Sequence, residues 1–70
     1  MEYLVVRYYR RRNVMIKDQK VGFTNGLIEL EGGSYTIKLS LPPNYRPSSR
    51  RVVLQNTSPL NPKTIRFEPI

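Results

Sequence analysis

Three consecutive arginines, Arg10, Arg11 and Arg12, and a second basic group, Arg46, Arg50 and Arg51, are the residues here best suited to chemistry. Guanidinium groups stay charged at any physiological pH and present forked N–H donors that match phosphate oxygens. Tyr45 directly precedes Arg46 and brings an aromatic face on which an unpaired base can stack. These seven residues are the candidate site for a polyanion such as nucleic acid. The competing explanation is that Arg10, Arg11 and Arg12 form a turn flanked by gatekeeper charges that discourage sheet-to-sheet association.

Catalytic constellations are scarce. The chain has neither histidine nor cysteine, so the usual general base, the thiol nucleophile and the commonest transition-metal ligands are missing. Glu29 and Glu31 stand two apart and would share one face of a strand. A carboxylate pair that cleaves glycosides must flank a cleft with one acid held protonated, and a wet strand face cannot do that. Asp18 belongs to a turn, and no cluster of oxygen ligands suggests calcium. Gly32-Gly33 lacks the pattern and the following helix of a phosphate loop. Asn56-Thr57-Ser58 fits the short N-glycosylation sequon. The expectation is a protein without enzymatic activity, cofactor or metal.

Seventy residues make a single domain, residues 1–70. Twelve Lys and Arg against five Asp and Glu give a formal charge of +7, which attracts polyanions at long range. No disulfide framework is available, and the N-terminal stretch MEYLVVRYYRRR fits neither a signal peptide nor a membrane span. A cytoplasmic location is the default, with an extracytoplasmic one if a leader precedes this sequence.

The elements that must position the arginines are strands. Residues 3–10 alternate Leu4, Val6 and Tyr8 against Val5, Arg7 and Tyr9 without Gly or Pro. Further strands are expected at 14–17, 21–23, 27–31, 35–41, 50–55 and 64–68. Asp18-Gln19-Lys20 turns the chain after the second of these. Asn25-Gly26 carries a type I′ hairpin signal, and Gly32-Gly33-Ser34 marks another reversal. Tyr35, Ile37, Leu39 and Leu41 lie at period two, and Pro42-Pro43 ends their strand. Residues 43–49 read as a loop with one buriable side chain, Tyr45. No window holds a 3.6-residue apolar period, so no helix is expected. One apolar face per strand predicts an all-β fold, a small antiparallel β-sandwich of six or seven short strands.

If those strands run as an antiparallel meander, residues 10–12, the 24–26 turn and the 42–49 loop share one pole. Arg10, Arg11, Arg12, Arg46, Arg50 and Arg51 would gather there without an acid among them, near Tyr45. Asp18, Glu31 and the 56–62 loop would occupy the other.

Val14-Met15-Ile16 with Lys17-Asp18, Gly22-Phe23-Thr24-Asn25, Gly33-Ser34-Tyr35-Thr36-Ile37 and Asn44-Tyr45 together resemble the pattern of PEGA domains, small β-sandwich modules. The family pattern has Val-x-Val-Asp-Gly, then Gly-x-Thr-Pro, a Gly-containing turn with its strand, and Gly-Tyr. Here Lys17-Asp18 replaces Asp-Gly, Asn25 replaces Pro and Asn44 replaces the last Gly. The resemblance implies a non-enzymatic module that contacts another protein or an envelope polymer. Nucleic-acid or polyanion binding at the arginine pole is the alternative. Pairing of edge strands into a weak homodimer is a third, against a monomer.

Overall fold

The computed structural model describes residues 1–70 and contains nine strands and no helix: β1 (Glu2–Arg7), β2 (Asn13–Ile16), β3 (Gln19–Phe23), β4 (Leu27–Leu30), β5 (Gly33–Leu39), β6 (Tyr45–Arg46), β7 (Arg50–Leu54), β8 (Lys63–Arg66) and β9 (Glu68–Pro69). Seven have four or more residues; β6 and β9 are two-residue strands that pattern alone does not reveal. Two sheets stack into a sandwich. One has the order β4-β1-β8 and the other β3-β2-β5-β7, while β6 and β9 form a separate two-stranded ladder.

Alternation explains the packing. Leu4, Val6 and Tyr8 from the first sheet, with Ile28, Ile65 and Phe67, meet Val14, Ile37, Leu39, Val52 and Leu54 from the second. Tyr45 completes this buried cluster of 12 side chains. Each such side chain removed from water contributes on the order of 1.5–3 kcal/mol.

The chain is not a meander. β1 runs antiparallel to β4 but parallel to β8, in register Val6↔Ile65 and Arg7↔Arg66. The Asn25-Gly26 signal does not make a hairpin either, because β3 and β4 lie in different sheets. Asn25 takes a φ of 64°, but Gly33 is the one glycine with a positive φ, so a type I′ pair is ruled out. Residues 24–26 carry the chain from one sheet to the other, and residues 31–32 carry it back. The β2–β3 turn is Lys17-Asp18 alone, which leaves Gln19 and Lys20 on an exposed edge strand.

Two further boundaries shift for identifiable reasons. β1 ends at Arg7 because the peptide groups of Tyr8 pair with the Asn25 side chain instead of another strand. β5 begins at Gly33, whose φ of 147° suits only glycine, and ends at Leu39. Leu41 is consequently not inward but 82% exposed.

One glycine permits a close approach. Val14 faces Gly22 and Met15 faces Lys20, so Val21 is an extra, bulged residue on β3. A Cβ on Gly22 would lie 2.7 Å from Cγ1 of the buried Ile28. Only glycine lets β4 pack across β3 at that point.

Candidate polyanion interface

Strand directions still deliver the arginines to one end. Going up β1, down β2, up β3, down β4, up β5, down β7 and up β8 leaves one pole with residues 8–12, 24–26 and 40–46, the start of β7 and the end of β8. Every arginine of the chain lies there. Arg7, Arg46 and Arg66 end their strands, Arg50 and Arg51 begin β7, and Arg10, Arg11 and Arg12 form the β1–β2 connection. Glu2, Asp18, Glu29 and Glu31 sit toward the other end, with Lys17 and Lys63. The arginine end is not free of acid, because Glu68 pairs with Arg46 across the β6–β9 ladder.

The 8–12 segment has its own scaffold. Asn25 donates its amide N–H to Val6 O (2.7 Å); its side chain accepts from Tyr8 N (3.2 Å) and donates to Tyr8 O (2.8 Å). Thr24, only 3% exposed, accepts from Arg12 N at its hydroxyl (2.8 Å) and donates that hydroxyl to Arg10 O (2.7 Å). Its amide donates to Arg12 O (2.9 Å). Thr24 and Asn25 therefore act as a strut beneath the arginines. The buried Thr24 hydroxyl and main-chain amide, both engaged in this way, rigidify what they hold.

Each of the three consecutive arginines meets an aromatic ring. The Arg10 guanidinium lies 4.8 Å from the Tyr9 centroid and that of Arg11 3.8 Å from Phe23. Arg12 lies 5.6 Å from Tyr8 and 5.1 Å from Tyr45. Lys20 adds its ammonium 3.8 Å from the Phe23 centroid. Such contacts attract a cation by about 0.5–1 kcal/mol at exposed sites without neutralising it.

The seven candidate residues divide into three roles. Arg12 is structural: it donates to Pro42 O (2.6 Å), Ser40 O, Asn44 Oδ1 and the Tyr8 hydroxyl (3.5 Å), so it ties the β1–β2 connection to the end of β5. Arg50 donates to Arg66 O (3.3 Å) and thereby joins the edges of the two sheets. Arg10, Arg11 and Arg46 are exposed. Arg51, also exposed, is opposite Thr36 on the outer face of the four-stranded sheet, apart from the others.

Tyr45 is not a stacking platform. It is 7% exposed, its hydroxyl accepts from Leu39 N (3.2 Å) and donates to Leu39 O (2.8 Å), and its ring meets Phe67 edge-on at 5.4 Å. The exposed aromatic at this pole is Tyr9, at 60%, with its ring edge-on to the buried Tyr8 at 4.9 Å. Strand alternation carried past Arg7 was the available signal for it. Arg7 and Arg66 are the other residues that sequence reasoning left out. They face each other across the parallel β1–β8 pair, both exposed on the outer face. Two cations directly opposed on a sheet repel, and an anion bound between them would remove that penalty.

A shallow groove of about 420 Å³ opens between the connection and the end of β5, with Tyr9, Arg10, Arg11, Asn13, Leu41 and Pro42 in its lining. Elsewhere, Glu29 projects outward from β4 opposite Tyr3, and Glu31 lies beyond the strand's end, where its carbonyl accepts the Tyr35 hydroxyl (2.6 Å). No three acidic side chains converge as a metal site would require. No helix is long and apolar enough to cross a membrane. Comparison with protein-family models, curated proteins and solved structures returns no match.

Proposed function

We propose that this domain is a non-enzymatic binding module that captures a polyanion at its arginine pole. One observation carries the reading: all eight arginines occupy one end, and the guanidinium hydrogen bonds formed there go to carbonyl, amide and hydroxyl oxygens rather than to carboxylates. A field of that kind attracts phosphate or sulfate polymers and supplies bidentate donors on contact. The resemblance to PEGA domains supports a binding module as well, and the favoured partner there is a protein or an envelope polymer. An acidic polymer of either kind would use the same guanidinium groups.

The test separates the placed charge from the total charge. A variant with Arg7, Arg10, Arg11 and Arg66 changed to Ala should leave a heparin column at clearly lower salt than one with Lys17, Lys20, Lys38 and Lys63 changed to Ala. Both lose the same net charge, so co-elution of the two would defeat the proposal. The variants spare Arg12 and Arg50, whose side chains hold backbone together.

A further inference from the structure

We infer that the polyanion is a single-stranded nucleic acid, with an unpaired base on Tyr9 and phosphates on the flanking arginines. This deepens the proposal above and rests on it. The observation that goes further than charge is the composition of the groove. Tyr9 keeps 60% of its surface in water in the middle of a strongly basic end, and Leu41 beside it is 82% exposed. Ring and aliphatic side chain line the same concavity as Arg10 and Arg11. A partner that binds by charge alone gains nothing from them, whereas a base has a π-face that uses both.

The setting also holds the ring in place. Tyr9 is packed edge-on against Tyr8, which is buried, and the Tyr8 main chain is clamped on both its N–H and its C=O by Asn25. A preset platform spares the strand the entropy of ordering it. Arg10 at 4.8 Å from the Tyr9 ring can reach the phosphate next to a stacked base, and Arg11 stands one residue further along. Arginine suits this better than lysine because its planar head lies flat on rings while still donating a fork to phosphate. Duplex fits poorly for a physical reason. Its bases are already stacked on one another, and this pole offers no helix for the major groove, while its one two-stranded ladder, β6–β9, has two residues per strand and buries Tyr45 against the core.

The experiment is fluorescence anisotropy on the full chain with a labelled oligothymidylate and an oligouridylate of about ten nucleotides, within the usual site sizes. The same sequence as a duplex, and a fluorescent heparin fragment, are the comparison ligands. Wild type should prefer the single strands to the duplex. Tyr9→Ala should weaken the single strands by about tenfold and leave heparin unchanged, and Tyr9→Phe should restore the affinity. Duplex binding as tight as single-strand binding would overturn the inference. So would a Tyr9→Ala variant that loses nothing, or that loses heparin equally. Those results leave the polyanion proposal standing, while absence of binding to all four ligands removes both.

Discussion

The two ends of this sandwich use polar side chains in opposite ways. At the far end one charged group is consumed locally: Glu2 takes two hydrogen bonds from Thr57, at 2.9 Å from its amide and 2.5 Å from its hydroxyl. Tyr3 N donates to that same hydroxyl (2.7 Å), so the carboxylate is spent on pinning the 55–62 loop to the start of β1. At the arginine end the pinning is done by neutral groups, Thr24 and Asn25, and by Arg12 alone among the three consecutive cations. The guanidinium groups of Arg10 and Arg11 are propped on rings. A carboxylate engaged in holding the fold has little left for a partner, and the other charges of that end are of mixed sign. An end pinned mainly by neutral groups, with only Arg12 and Arg50 given over to the fold, keeps its other six guanidinium groups available.

The strongest way to break that contrast is to ask whether Arg12 really differs from its neighbours. Arg12→Ala removes donors from the Ser40 and Pro42 carbonyls and from Asn44, and also two ring contacts. With charged hydrogen bonds at roughly 1.5–3 kcal/mol each, and losses partly offset by water, a destabilisation of about 3 kcal/mol is expected in urea unfolding. Arg11→Ala gives up one exposed cation–π contact, so its cost should stay near ~0.5–1 kcal/mol. Equal costs would mean that the division of labour within the triplet is false.

A smaller effect sharpens the role of the neutral strut. Asn25→Ala loses both bonds to Tyr8 and places alanine at a φ of 64°, for an expected cost of about 2 kcal/mol. Gly26→Ala should be close to neutral, within about 0.5 kcal/mol, because its φ is negative and the nearest atom to an added Cβ is 3.9 Å away. A type I′ hairpin would give a different result, since both positions would then need positive φ. Thermal unfolding of the two variants decides between a hairpin and a crossing between sheets.

That pair also marks how far the amino-acid pattern was informative. Period-two alternation and turn residues located all seven main strands and most of their inward residues, because burial of one face is a local property. It could not assign strands to sheets: Asn25-Gly26 suits a reversal within a sheet and a passage between sheets equally well. Which residues end a strand was obscured for the same reason. Leu41 continues the apolar period beyond Leu39, but the chain leaves the sheet at Ser40, whose carbonyl is taken by Arg12. Tyr45 looked like a loop aromatic because the two-residue β6–β9 ladder that buries it has no recognisable pattern. Arg7 and Arg66 are far apart in sequence, and only the parallel β1–β8 pairing sets them side by side. The common pole survived the failed meander because it depends on alternating strand direction rather than on which strands are neighbours.

The smallest expected effect lies at the far end and tests whether its charge is committed to the fold. Thr57 holds the Glu2 carboxyl below the ordinary carboxylate range, through its hydroxyl first and its amide second, and the nearby N-terminal charge adds to this. A carboxylate whose pKa is lower folded than unfolded contributes stability that is complete above the unfolded value. The contribution is lost as the pH falls through the folded value. Stability should therefore decline as acid titrates Glu2, beginning below about 4.3, and Glu2→Gln should flatten this decline while changing little at neutral pH. Retention on heparin at neutral pH should be unaffected by the same substitution, because Glu2 sits at the end remote from the arginines. An unchanged acid limb in Glu2→Gln would show that the carboxylate is not spent on Thr57. The two ends would then differ only in the sign of their charge, not in how it is used.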